Sequence, residues 1–558
     1  MNRLETKDYI VFLIYFLIVS VYGIWIYRRK RSESSGSKDY FLAEGSLTWW
    51  AIGSSLIASN ISAEQFVGMS GSGFQVGLAI STYEWMAALT LIIVATFFIP
   101  VYLKNKIFTM PQFLHQRYNG TVAMIMAVFW LLLYVIVNLT SILYLGAIAV
   151  QGISGLDRTY IMYALAIFSI IITLGGMKVI GYTDVIQVFF LILGGLATTY
   201  LALNLVAEHY GSTGVVNGFN LMMQNADDHF HMIFNKEDNE KFMDLPGLTV
   251  LLGGMWIVNL NYWGCNQYIT QRALGADLPT ARNGILFAAF LKLLMPIIVV
   301  LPGIAAYILY KENASGFHQE MTEGGKVLAD KAYPSMLNLL PAGLKGLSFA
   351  ALTAAIVASL AGKANSIATI FTLDIYKKAI NPEASESKLV NIGKITVVIT
   401  MILGVIIAPH LGIEKGGFKY IQEYTGFVSP GIFAMFLLGF FWRKATSNAA
   451  LFATIGGFIM SCILKFLPGW MDLSFLYPAG FAVPNADGIY EIPFLDRMGF
   501  VFIFCIIGMY IISMVENSKG DRVNGLEVDK SMFKTHPSFT AGSLLIIGIL
   551  VALYTAFW

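Results

Sequence analysis

Stretches of about twenty consecutive apolar residues recur along this chain, and a helix of that length crosses the ~30 Å hydrocarbon layer of a bilayer. The first runs from Tyr9 to Tyr27, and others follow as far as the C-terminal LYTAFW. Inside lipid a backbone must satisfy its own hydrogen bonds, which leaves helices as the economical solution for runs of this kind. A water-soluble alternative lacks the surface charge it would need. Of 558 residues 57% are apolar and only 13% charged, against about 25% charged in an average globular protein. A soluble enzyme, a disordered scaffold and a disulfide-rich secreted domain are thereby excluded. The fold class expected is all-α, a polytopic membrane protein.

Fourteen spans are predicted, near 9–27, 48–73, 78–103, 122–150, 160–175, 184–205, 247–270, 284–310, 346–373, 390–412, 420–441, 448–467, 497–515 and 541–558. Basic residues prefer cytoplasmic loops. The clusters at Arg28, Arg29, Lys30 and Arg31, at Lys104 and Lys106, at Lys377 and Lys378, and at Arg443 and Lys444 all fall on one side if both termini are outside. The first basic cluster follows the first apolar run instead of preceding it, so that run reads as a retained helix and not a cleaved signal. Lys and Arg exceed Asp and Glu by only +2, which gives no electrostatic ground for a nucleic-acid partner. Cys265, Cys462 and Cys505 show no paired spacing and read as small buried hydrophobes.

The polar stretches Asp227–Asp244 and Glu516–Pro537 are too short to fold as separate domains, and no phosphate-binding glycine loop occurs. Work done by such a chain draws on a transmembrane gradient. No obligatory protein partner is indicated; the bilayer and a small solute are the partners expected.

Two spans carry polar residues at depth. The second reads AIGSSLIASNISAEQFVGMSGSGF over 51–74, and the seventh reads WIVNLNYWGCNQYITQR over 256–272. Each such group costs several kcal/mol in hydrocarbon unless it meets a partner, a ligand or water. Interhelical glue is one reading. Paired discontinuous helices in two halves of a transporter, flanking a binding site, are the other. Ionisable residues narrow the choice: Glu84 in STYEWM, Asp184 in GYTDVIQVFFL, Lys292 in FAAFLKLLMP and Lys363 in AAIVASLAGKANS. Intramembrane charges are costly and by default functional, although Glu84 and Asp184 lie close enough to span ends to serve as solvated caps. Lys465 and Arg497 lie nearer still to a boundary and are expected to snorkel into the interface. Amides, carboxylates, an amine and a tyrosine at depth suit recognition of a hydroxylated solute. They do not suit catalysis, because no nucleophile triad or metal motif accompanies them; the chain is not expected to be an enzyme. The seven histidines read as solvated or boundary residues.

At this point the motifs resemble those of the sodium/solute symporter family, and most closely its bacterial sodium/galactose (sodium/glucose) cotransporters. DYF at 39–41, SLIASNISAEQFVGMSGSG at 55–73, YEWM at 83–86, TDVIQVFFL at 183–191, YWGCNQYITQR at 262–272, NSIATIFTLDIY at 365–376 and YIQEYTGFVSPG at 420–431 occur in order. The resemblance implies a five-plus-five inverted-repeat core. Its first repeat would cover 48–205 and its second 247–441, with an extra helix and basic loop in 1–47, an extracellular loop in 206–246 and three further helices in 442–558. It implies a monosaccharide substrate held by Gln65, Glu84, Asn259, Lys292 and Gln422. Tyr262 with Asn60 would form the inner gate, and Met69, Tyr83 and Phe418 the outer one. A family serine that helps hold the sugar is Ala87 here, a loss of about 0.5–1.5 kcal/mol of hydrogen bonding.

The resemblance also implies Na⁺ as the coupling ion, with no organic cofactor. Carbonyls of Ala58, Ile61 and Ala355 and the hydroxyl of Ser359 would coordinate it, with Asp184 behind them. Two departures stand here. The first of two consecutive family hydroxyls is Ala358, and Lys363 takes an apolar position one turn beyond Ser359. An ammonium about 4 Å from Na⁺ at an effective dielectric near 20 repels it by roughly 4 kcal/mol. Three readings stay open at the level of sequence. Lys363 snorkels and leaves a weakened but working Na⁺ site; it replaces the ion and makes transport sodium-independent; or it titrates and couples sugar to protons.

Overall fold

A computed structural model describes residues 4–29, 47–323, 325–410, 417–518 and 525–558. Lys30, Arg31 and the DYF motif at 39–41 lie outside the described residues. The chain is almost wholly helical; among the described residues the only strands are two short antiparallel pairs, Thr322–Glu323 with Lys326–Val327 and Val483–Pro484 with Tyr490–Glu491. Among the described residues ten helices are long and apolar enough to cross a membrane, and counting each of two sharply bent helix pairs as one span brings the number to twelve. The two remaining predicted spans fall short for physical reasons. Arg158–Thr173 is apolar but has only 16 residues, and the second span is interrupted.

That interruption follows its sequence. Trp49–Asn60 is helical, and Ile61 then turns extended (φ −81°, ψ 101°). A wide helical turn runs over Glu64–Met69, and an α-helix resumes over Ser70–Val76. The seventh span bends by 77° between Asn239–Leu252 and Gly254–Gly264, and the eleventh by 53° between Phe418–Gly426 and Ser429–Phe441.

The chain divides into two compact units, one made of residues 1–84, 131–231 and 283–421, the other of 85–130, 232–282 and 422–558. In the first unit the ninth span, Leu344–Thr369, is the central post. It packs against Thr6–Arg29, Trp49–Asn60, Thr140–Ser154, Arg158–Thr173, Gly176–His209 and Glu386–Ile407. Ala350, Ala351, Ala354, Ala355, Ala358, Ala361 and Ala364 make this possible, since small side chains let helix backbones approach closely; all are buried. Asp8 secures the post's N-terminus, its Oδ1 accepting from the Gly343 and Gly346 amides at 2.7 and 2.9 Å.

In the second unit an aromatic cluster of Phe98, Tyr102, Phe113, Phe436 and Phe440 surrounds Ser429–Phe441. Arg117 closes that helix's far end by donating to the carbonyls of Gly439, Trp442, Arg443 and Ala445. Burial lowers the Arg117 pKa from its ordinary value, with the adjacent Tyr118 opposing the shift.

Two expectations need correction. Arg497 does not snorkel: it is 9% exposed, and its Nη2 shares Glu423 Oε1 with Lys465 Nζ, each at 2.6 Å. A carboxylate within reach holds both cations more cheaply than an extended path to the interface. His229 is not solvated either. It is buried, its Nε2 lies 3.0 Å from the Phe74 carbonyl oxygen, and its ring stacks on Tyr307 at 3.9 Å.

Candidate functional site

The first unit assembles three of the predicted polar residues. Lys292, on the long helix Leu278–Lys311, donates to Glu84 Oε2 at 2.5 Å and to Asn60 Oδ1. Lys292, Glu84 and Asn60 are 1, 3 and 7% exposed; Asp184 is 1% exposed, so neither Glu84 nor Asp184 is a solvated cap. Their elements explain the convergence. Asn60 is the last residue of the first half of the broken span, where the helix stops supplying partners. Glu84 sits in the first turn of Thr82–Ile93. Gln65 lies just past the break, also buried, and its Oε1 receives the Ser62 amide at 3.3 Å.

Above this cluster in sequence terms stand the outer-gate candidates. Tyr83 and Phe418 meet edge to face with ring centroids 5.0 Å apart, and Met69 is fully buried. Gly68 permits the approach of Phe418, because a Cβ there would lie 2.9 Å from the Phe418 Cβ.

The break also gathers the residues expected to hold Na⁺. In a continued helix the Ser62 amide would go to the Ala58 carbonyl; here it meets Gln65 instead. Ser359 Oγ, from the ninth span, donates to the Ser59 carbonyl at 3.2 Å, which places that hydroxyl against the frayed helix end. Ala58, Ile61, Ala355 and Ser359 are all 0–1% exposed. Carbonyl and hydroxyl oxygens are hard donors that suit an alkali or alkaline-earth cation. One turn behind, Asp184 Oδ2 accepts from Ser55 Oγ at 2.6 Å. Lys363 is 3% exposed; its Nζ donates to Asn138 Oδ1 at 2.9 Å and lies 5.8 Å from the Tyr134 ring centroid.

In the second unit Asn259 is buried and its Nδ2 donates to the Met255 carbonyl at 3.1 Å. Tyr262 Oη shares a hydrogen bond with Tyr268 Oη at 2.6 Å. Gln422 is half-buried in Phe418–Gly426. Several polar residues of the seventh span serve the fold: Asn261 donates to Ser429 Oγ at 3.0 Å, Asn266 caps Gln267–Leu274, and Gln267 Oε1 accepts from the Met110 amide at 2.7 Å. Sequence reasoning did not single out Asn138 or Tyr134, because neither is ionised; a buried lysine that needs an acceptor was the available signal.

A polytopic helical body with interrupted spans, and with buried ionic and amide groups gathered at the interruption, defines a membrane transporter. Residues 40–457 match the model of the sodium:solute symporter family. A sodium/glucose cotransporter of Vibrio parahaemolyticus is 45% identical over all of this chain and 99% of its own length. A sodium/myo-inositol cotransporter 2 of Oryctolagus cuniculus is 32% identical over 86% of this chain and 72% of its own. The fold is shared with a solved Na⁺-coupled sialic acid symporter, with a TM-score of 0.73 at 20% identity over 92% of this chain and 98% of that one. The chain belongs to the sodium:solute symporter family.

Proposed function

We propose that this protein carries a monosaccharide of the glucose or galactose kind across a cell membrane by alternating access, coupled to Na⁺. The observation that supports this reading best is the buried joining of Lys292, Glu84 and Asn60. Together they offer an ammonium donor, a carboxylate acceptor and an amide that does both, which is the set that reads vicinal hydroxyls. The family resemblance and the sodium/glucose relative supply the rest of the reading. Gln65, Asn259 and Gln422 complete the ligand set, Tyr262 and Asn60 close the inward path, and Met69, Tyr83 and Phe418 the outward one. Na⁺ binds the carbonyls of Ala58, Ile61 and Ala355 and the Ser359 hydroxyl, drawing the break of the second span toward the ninth. It drives transport to the extent that it prefers one state over the other. Both termini face outward.

Uptake into proteoliposomes of a panel containing glucose, galactose, myo-inositol, proline and sialic acid tests the reading. A hexose taken up above the other solutes supports it, with uptake lost in Glu84→Gln. Selective uptake of an anionic solute would overturn it.

A further inference from the structure

The ammonium of Lys363 is inside the first unit and held there. Its Nζ donates to Asn138 Oδ1 at 2.9 Å, and the face of Tyr134 lies 5.8 Å away. Both partners come from Leu133–Leu139, a wide helical turn within the fourth span. The post and the fourth span thus meet around one fixed positive charge. Ser359, one helical turn before Lys363, faces the Ser59 carbonyl at the break, and side chains four apart share a helix face.

Resting on the sugar-transport reading above, we propose that Lys363 is a built-in cation that supplies part of what bound Na⁺ supplies to this transporter, with Asn138 as its positioning residue. Na⁺ entering beside Ser359 meets a like charge it would not meet if residue 363 were apolar, and it finds one hydroxyl fewer because residue 358 is Ala. The sugar-competent arrangement of the break is therefore held in part without the ion, and Na⁺ coupling is looser than an apolar residue 363 would leave it. A unit charge about 8 Å away at an effective dielectric near 20 changes cation affinity by on the order of thirtyfold.

The test uses the full-length protein. Na⁺ binding is titrated calorimetrically in detergent, and sugar uptake is measured in vesicles with Na⁺ or choline. Wild type is expected to retain a measurable part of its uptake in choline and to bind Na⁺ weakly. Lys363→Met with Ala358→Ser is expected to tighten Na⁺ by at least about tenfold and to make uptake depend on it. Lys363→Arg, which keeps the charge, is expected to leave Na⁺ binding weak, which a general packing defect at this position would not explain. Unchanged Na⁺ affinity in Lys363→Met with Ala358→Ser, or wild-type uptake abolished by choline, overturns the proposal. Sugar counterflow without any ion gradient reports on the transport reading separately: its absence in wild type sinks that reading, whereas its presence with unmoved Na⁺ titrations sinks only this one. Should Lys363→Met fail to fold, Asn138→Ala keeps the charge while releasing it, and an unaltered Na⁺ affinity there also counts against the proposal.

Discussion

Lys292 and Glu84, 208 positions apart in sequence, form an ion pair of 2.5 Å with both side chains buried. Removing one member of a buried pair strands the other charge, at a cost of about 3–5 kcal/mol. Replacing both with neutral residues avoids that cost. Glu84→Gln and Lys292→Met are each expected to lower thermal stability in detergent, and the double variant to recover much of it. Sugar binding should be lost in all three. Recovery of stability without recovery of binding separates the structural role of the pair from its role as a ligand. A double variant that binds sugar as wild type does would remove the pair from the site.

Gly68 is set against the backbone of Phe418, and a Cβ would lie 2.9 Å from the Phe418 Cβ and 3.0 Å from its amide nitrogen. Overpacking of a tight contact costs about 1–3 kcal/mol. Here it would push Phe418 away from Tyr83, with which it makes an edge-to-face contact. Gly68→Ala is expected to cut the maximal uptake rate severalfold while leaving equilibrium sugar binding within about threefold of wild type. Equal losses in rate and binding would show that the contact does not act as a gate.

The costly residues were legible from sequence, and their partners less so. A charge in an apolar run announces itself, and Glu84, Asp184, Lys292 and Lys363 are all buried. What answers each charge depends on which helices pack together, and local sequence does not carry that. Asn138 and Ser55 are ordinary polar residues until Lys363 and Asp184 arrive beside them. The same holds for Arg497, placed near a boundary by position alone, whose partner Glu423 lies 74 residues earlier. The breaks in the second and seventh spans were visible because polar and glycine residues cluster there. Many of those polar groups then proved to be caps and interhelical bonds, as with Asn261 and Asn266, since a broken helix must first satisfy its own ends.

Arg117 was invisible in the sequence reading because it falls between spans, yet it is 1% exposed and donates to four carbonyls at the end of Ser429–Phe441. A hydrogen bond from a charged donor contributes roughly 1.5–3 kcal/mol, and four that share one buried guanidinium fall well short of adding, because the cost of desolvating that charge offsets them together. Arg117→Met is expected to destabilise the protein by about 2–4 kcal/mol, read as a lowered unfolding temperature. Arg117→Lys should recover only part of this, because an ammonium cannot fan out to four acceptors as a planar guanidinium does. Sugar affinity in the surviving folded protein is expected to match wild type.

Asp8 anchors the N-terminus of the ninth span from a helix more than 330 residues earlier. Its Oδ1 takes the amides of Gly343 and Gly346, and its Oδ2 takes the Glu5 amide at 2.9 Å, so one carboxylate ties two helix starts together. A negative charge at a helix N-terminus is further favoured by the helix dipole. Gly343 adopts φ +91°, and a Cβ on Gly346 would run into the Asp8 backbone, so both glycines are needed for the contact. Asp8→Ala removes the acceptor altogether and is expected to cost about 2–4 kcal/mol, whereas Asp8→Asn keeps an acceptor oxygen and should cost less than half of that. Because Leu344–Thr369 also carries Ala355, Ser359 and Lys363, loosening its upper end is expected to weaken Na⁺ stimulation of uptake in Asp8→Ala before it affects sugar binding. Hydrogen exchange at residues 344–350 provides the structural control. Faster exchange there with unaltered Na⁺ stimulation would show that the cap stabilises the post without setting the ion site.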